Sequence, residues 1–204
     1  NLLGTMFALI LAGGEGSRLK LGEKALVSVA GRPMLSWVID AFTGAGIEPV
    51  VVTSHKTPST RNFCRSHSID TINTAGIGYV EDLQEAVEFS KEGGALFTSA
   101  VDIPYLTADI VANVRDAYFA SGKQACSTWV PISLCERYGM RPRYCQKISG
   151  VEATPCALNI FLGSLLTDIQ DELTLLLHEP RLVFNVNTRE ELKVAELAFK
   201  NLKL

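Results

Sequence analysis

Along the chain, short continuous apolar runs alternate with stretches in which apolar residues recur at three- and four-residue spacing. The runs Met6 to Leu11, Pro49 to Thr53, Ala95 to Ser99 and Leu182 to Val186 are dense in apolar and β-branched residues, and each predicts a strand covered on both faces. Between them the spacing predicts helices over Met34 to Thr43, Pro58 to Ser66, Tyr79 to Lys91 and Thr107 to Ala120. Thr57 is placed to cap the second of these, with Pro58 at the first helical position, where its missing N–H costs nothing. Thr188-Arg189-Glu190-Glu191 is a capping box, and Leu192, Ala195, Leu197, Ala198 and Leu202 continue it as the apolar stripe of a closing helix. Strand and helix in turn imply an α/β fold, a Rossmann-like three-layer sandwich with a mostly parallel central sheet. Residues 124–148 break the rhythm. Pro131, Gly139 and Pro142 interrupt the strands there, so this region is expected to be an inserted hairpin or lid that contacts a second substrate.

Composition narrows the class. With 204 residues, 47% of them apolar and 20% charged, residues 1–204 read as one folded domain with a substantial core, Asn1 to Thr5 being a non-native leader. A formal net charge of −3 argues against binding along a nucleic-acid backbone, which needs a surplus of lysine and arginine to displace counterions. The apolar runs fall far short of the roughly 18 residues of a membrane span. No basic and then apolar leader opens the chain, so a cytoplasmic setting is expected. Cys64, Cys126, Cys135, Cys145 and Cys156 are odd in number and never at C-x-x-C spacing, and no histidine lies between Cys126 and Cys156. They read as reduced structural thiols rather than a zinc site. Oligomeric state is left open, a homo-oligomer included.

The first strand runs directly into Leu11-Ala12-Gly13-Gly14-Glu15-Gly16-Ser17-Arg18. Glycine lacks a Cβ and tolerates positive φ, so successive backbone N–H groups can converge on phosphate oxygens, and Arg18 and Lys24 add positive charge. Spacing separates the chemistries that use such loops. A P-loop needs G-x-x-x-x-G-K-[ST], whereas Gly16 to Lys24 reads G-x-x-x-x-x-G-x-K. A dinucleotide fingerprint needs a third glycine where Leu19 stands. What remains, L-A-G-G-x-G-[ST]-R followed by lysine, resembles the opening loop of sugar-phosphate and cofactor nucleotidyltransferases. Leu11, Ala12, Gly13, Gly14, Gly16 and Ser17 are therefore expected to cradle a nucleoside triphosphate.

Nucleotidyl transfer also asks for a divalent cation and a carboxylate to hold it. Asp102 follows the strand Ala95 to Ser99 and precedes Ile103-Pro104, at a carboxyl edge where open sheets bind ligands, and is the expected Mg²⁺ ligand. His55, His67 and His178 are dispersed and form no triad. None is required if the acceptor is a phosphate monoester, whose second pKa of about 6 leaves it largely dianionic at neutral pH.

Several segments together resemble the archaeal adenosylcobinamide-phosphate guanylyltransferases. They are the loop Leu11 to Lys24, Asn73 to Leu83, the Asp102 segment, Pro155-Cys156-Ala157-Leu158-Asn159 and Phe184 to Thr188, spread over nearly the whole chain. The resemblance implies the nucleotide-diphospho-sugar transferase type of fold and transfer of GMP from GTP, the co-substrate, to a phosphorylated corrinoid in cobalamin biosynthesis. It further implies that Arg18 and Lys24 hold the leaving pyrophosphate and Asp102 the Mg²⁺. Thr53, Ser54, Asn73, Thr74, Gly78 and Tyr79 would line the base and ribose, with Asn187 beside the metal or phosphates. Three positions depart from the family's pattern: Lys20 stands near an expected glycine, Ala25 replaces a proline, and Ala157 replaces a glycine. Ala157 demands either a different φ or a displaced ligand. A molybdenum-cofactor nucleotidyltransferase and a non-catalytic nucleotide-binding module are the competing readings.

Overall fold

A computed structural model describes residues 5–202. The strands in chain order are β1 (Phe7–Leu11), β2 (Ser28–Val29), β3 (Arg32–Pro33), β4 (Glu48–Ser54), β5 (Asp70–Thr74), β6 (Ala95–Ala100), β7 (Ala125–Pro131), β8 (Gln146–Ile148), β9 (Val151–Leu162) and β10 (Glu172–Leu176). The helices are α1 (Met34–Gly44), α2 (Pro58–Ser66), α3 (Tyr79–Ser90), α4 (Ala108–Ser121), α5 (Ile132–Arg137) and α6 (Arg189–Leu202). The expected leader lies outside the described residues but for Thr5.

Eight strands form one sheet in the order β10-β7-β9-β6-β1-β4-β5, with β8 paired to β9. β1 pairs in parallel with both β4 and β6, and β4 with β5, while β9 runs antiparallel to β6, β7 and β8. The expected mostly parallel, three-layer architecture is thus the one observed. Alternate side chains of β1 enter opposite cores: Ala8 and Ile10 pack in the larger one with α1, α4 and α6, and Leu9 in the smaller one with Ala86 and Val87 of α3. Phe42 of α1 and Phe97 of β6, both fully buried, meet edge to face at 5.4 Å in the larger core. The chain leaves β1 toward β4 on one side and meets β6 on the other. The carboxyl ends of β1 and β6 therefore open at a topological switch point, where neighbouring connections diverge and leave a crevice.

The predicted helices all form, within a residue or so of the expected ends. Two other expectations are corrected. Leu182 to Val186 is no strand. Phe184 is fully buried, edge-on to Tyr105 at 5.3 Å and to Tyr138 at 5.9 Å, so the apolar run fills the core from a loop, and the Val186 N–H donates to the Asp102 carbonyl at 2.8 Å. Within 124–148, Ala125–Pro131 is a sheet strand rather than part of an inserted hairpin: β7 lies between β9 and β10, Trp129 and Val130 are buried, and Pro131 ends the strand rather than breaking it. Strands β5, β9 and β10 escape a search for continuous apolar runs because they mix polar with apolar positions along their length.

The cap of α2 also differs. The Thr57 hydroxyl turns back to accept from the Ser54 N–H at 3.1 Å, and the free N–H groups of Ser59 and Thr60 donate instead to the two carboxylate oxygens of Glu23, at 2.9 and 2.7 Å. Burial opposes ionisation of Glu23, but these N–H bonds outweigh it and hold its pKa below the ordinary 4.5. A group with a lowered folded-state pKa stabilises fully above its unfolded value and loses that contribution as pH falls through the folded one. Glu23→Ala is therefore expected to cost about 1 kcal/mol at pH 7, in the range of lost caps. The difference in urea denaturation should shrink as pH drops below about 4.5.

Candidate active site

The crevice holds a cavity of about 280 Å³ bounded by Leu11 to Gly14, Gly16 and Lys24 on one side, by Gly76 to Tyr79 and Asp82 on another, and by Ala100 to Asp102 at the end of β6. Its glycine loop is pinned at several points. The Ala12 N–H donates to the Val52 carbonyl at 2.9 Å, Leu19 plugs the core, and the Arg189 guanidinium at the start of α6 donates to the carbonyls of Leu19 and Lys20 at 2.9 and 3.1 Å. Gly16, at φ +64°, lets the chain fold onto Lys24: a Cβ there would stand 2.7 Å from that of Lys24. Gly76, at φ +72°, packs on Ser54 in the same way, its added Cβ falling 2.9 Å from the hydroxyl oxygen. That hydroxyl donates to the Gly13 carbonyl at 2.8 Å, so Ser54 ties the glycine loop to the loop before α3.

Lys24 is held at the centre. Its ammonium donates to Asp102 Oδ2 at 3.0 Å and to Asn187 Oδ1 at 2.8 Å, drawing together the first loop, the end of β6 and the segment before α6. Asp102 is 7% exposed, and its other oxygen, Oδ1, is buried without a hydrogen-bond partner. An ionised oxygen left unpartnered is costly unless a cation completes it. Among the described residues no cluster of three or more metal-ligating side chains occurs. The free Oδ1 of Asp102 is the kind of ligand Mg²⁺ takes, since that ion is commonly held by one or two carboxylates together with substrate phosphates. Tyr79, half exposed at the start of α3, has its phenol pKa raised by burial and by the Asp102 charge, with a hydrogen bond to Thr98 acting the other way.

A second cavity of about 270 Å³ adjoins Asn187. It arises from the pairing of β9. Val151 to Ala153 pair with β8 and Leu158 to Leu162 with β6 on the same side, which leaves Thr154 to Ala157 unpaired there. Thr154, Pro155 and Cys156 line it together with Arg141 to Tyr144, Arg18, Asn185, Asn187 and Glu191, and Asn187 links it to Lys24 of the first cavity.

The profile of the MobA-like NTP transferase domain matches residues 8–158, from β1 through both loops and Asp102 into β9. The chain belongs to this family. A MobA-like transferase is a nucleotidyltransferase, the activity expected from the glycine loop. Over 96% of this chain and 98% of the relative, the sequence is 29% identical to the adenosylcobinamide-phosphate guanylyltransferase of Methanocaldococcus jannaschii. It is 27% identical to the molybdenum cofactor guanylyltransferase of Cereibacter sphaeroides over 60% of this chain and 61% of that one. A solved structure of a hypothetical transferase from Thermus thermophilus superposes with a TM-score of 0.71, covering 92% of this chain and 99% of that one at 22% identity.

In this MobA-like chain the structure gathers most of the expected site and reassigns some of it. Leu11, Ala12, Gly13, Gly14, Gly16, Lys24, Gly78, Tyr79 and Asp102 all border the first cavity. Arg18 borders the second instead, and Ser17 is exposed beside it. Thr53 and Ser54 are fully buried and Thr74 is 3% exposed, so they support the loops rather than touch a ligand. The Thr53 hydroxyl donates to Asn73 Oδ1 at 3.2 Å, and Asn73 is exposed at the end of β5, outside the first cavity. Asp82 and Glu85 carry no signal in the sequence beyond helical acidity, yet their carboxylates accept from the N–H groups of Gly76 and Ala75 at 2.9 Å each and shape that loop. Thr188 and Glu191 form half of the expected capping box: the Glu191 N–H donates to the Thr188 hydroxyl at 3.2 Å, but the Glu191 carboxylate accepts from Asn187, which fixes that residue. Burial pushes the thiols of Cys64, Cys126 and Cys135 up to about 11 and that of Cys156 to about 12, so none is a thiolate at neutral pH.

The departures from the family pattern also find their place. Lys20 has φ +54° and Ala157 φ +56°, so both keep a conformation that glycine adopts freely and other residues adopt under strain. Ala157 lies at a bulge where the β7 to β9 register shifts between Ser127 and Trp129. Ala157→Gly is expected to stabilise the protein by about 0.5–1 kcal/mol, strain relief outweighing the added chain entropy of glycine. Chemical denaturation of the variant would show it, and a destabilised variant would mean that the methyl group packs usefully.

Proposed function

We propose that this transferase moves GMP from GTP to adenosylcobinamide phosphate, releasing pyrophosphate. The observation that carries the acceptor is that similarity to the corrinoid guanylyltransferase runs the length of both chains, whereas similarity to the molybdenum-cofactor enzyme stops at about three-fifths of each. The amides of the glycine loop and the Lys24 ammonium hold the triphosphate and stabilise the charge that builds on the departing pyrophosphate. Asp102 offers its free Oδ1 to Mg²⁺, which supplies charge neutralisation and alignment of the phosphates. Asn187, which borders the second cavity, holds Lys24 of the first by accepting from its ammonium. The acceptor's phosphate dianion needs no base, so the rate should carry no requirement for a histidine.

Pyrophosphate release from GTP, Mg²⁺ and adenosylcobinamide phosphate by the purified protein tests this reading. Turnover with a molybdopterin acceptor but not the corrinoid would select the molybdenum-cofactor alternative, which the 27% match favours. GTP binding with no turnover on either acceptor would leave a non-catalytic module.

A further inference from the structure

Among the described residues, four arginines outside the second cavity have polar partners within the protein. Arg32, Arg115 and Arg181 pair with carboxylates, and Arg189 donates to two backbone carbonyls. Arg141 and Arg143 differ: among the described residues neither takes part in an ion pair or a side-chain hydrogen bond, yet both border the second cavity. Glu191 is the one carboxylate among the described residues that line this cavity, and it is already accepting from the Asn187 N–H at 2.6 Å. The lining therefore carries surplus positive charge from Arg141, Arg143 and Arg18, beside apolar surface from Met140, Pro142 and Tyr144. Asn187 borders this cavity and binds Lys24 of the first one, so an anion seated here lies next to the triphosphate.

We infer that Arg141 and Arg143 bind the phosphate of the acceptor and set its approach to the nucleotide. Planar guanidinium forks suit a phosphate monoester and can hold two of its oxygens while the third remains free to attack. The chain around them is suited to presenting rather than burying charge. The Arg141-Pro142-Arg143 segment leaves α5 through Gly139, at φ +79°, and returns into β8, so both side chains hang over the unpaired stretch of β9. The inference rests on the proposed acceptor only in so far as that acceptor is phosphorylated. It holds for any phosphomonoester substrate.

The test compares wild type with R141A, R143A, the double variant R141A/R143A and the charge-keeping R141K/R143K. Both side chains are exposed, so the variants should fold, and thermal melting checks this. Each single alanine should raise KM for adenosylcobinamide phosphate about 10- to 100-fold, the range for a lost charge-assisted hydrogen bond, while KM for GTP stays within about 2-fold. The lysine pair should recover part of the loss. An acceptor KM unchanged within about 3-fold, or a GTP KM that rises in step with it, would overturn the assignment. If the wild type does not use the corrinoid, the proposed acceptor falls, and the arginines are judged by inorganic phosphate instead. ³¹P NMR titration in the presence of Mg²⁺ and a non-hydrolysable GTP analogue should show binding to wild type and its loss in R141A/R143A. Equal behaviour of the two proteins would reject the arginine site independently of the corrinoid.

Discussion

Asp102→Asn is expected to lower kcat by about 10³-fold, the upper range for removing a group that stabilises transition-state charge at a preorganised site. The substitution keeps the shape of the side chain and exchanges a carboxylate for a neutral amide, so affinity for the proposed Mg²⁺ is expected to fall while the cavity persists. Folding should survive. The lost attraction to Lys24, 3.0 Å away, is offset by removal of a buried charged oxygen that has no partner in the resting protein. Pyrophosphate release across a Mg²⁺ titration, set beside a thermal melt and metal-free GTP binding, checks each part. Activity close to wild type would mean that the metal ligand lies elsewhere, and loss of the fold would mean that the Lys24 contact is structural.

Lys24→Met is expected to be nearly as damaging, with kcat lower by about 10²–10³-fold. The unbranched apolar side chain preserves packing beside Gly16 and removes only the ammonium. Lys24→Arg should recover little of the rate, because a planar fork cannot replace a compact point charge held between Asp102 and Asn187. On the proposed reading that both groups act on one triphosphate, Asp102→Asn and Lys24→Met together should cost much less than the product of their separate losses. A double-mutant cycle on kcat measures this coupling. Strict additivity would show that the two residues act at separate steps and that their contact in the resting protein has no part in the reaction.

The local parts of the fold and the site were legible in the residues. The apolar runs of β1, β4 and β6, the glycines after β1 and the proline opening α2 act within a few positions, through backbone sterics and two-faced burial, so spacing alone reveals them. Lys24 and Asp102 could be singled out for the same reason: charge follows a glycine loop in one case and a strand end in the other. The family resemblance put a glycine at the Ala157 position and near Lys20, but only the backbone shows that both residues keep positive φ.

What could not be read there depends on contacts between distant segments. Buried apolar residues look alike in a strand and in a core-filling loop, so Leu182 to Val186 declared its burial but not its conformation. The long β9 and its gap opposite Thr154 to Ala157 follow from which strands flank it, and that gap makes the second cavity and gives Arg141 and Arg143 something to face. Glu23 caps a helix from 36 and 37 residues away, and Asn187 reaches Lys24 across 163 positions. The glycine loop and its charges thus specified nucleotidyl chemistry by themselves, because a phosphate cradle is built from neighbouring amides. The sequence pointed to residues 124–148 for contact with a second substrate, but the second cavity that Arg141 to Tyr144 border was decided only by the tertiary structure, because its walls are side chains that the sheet, and not the chain order, brings together.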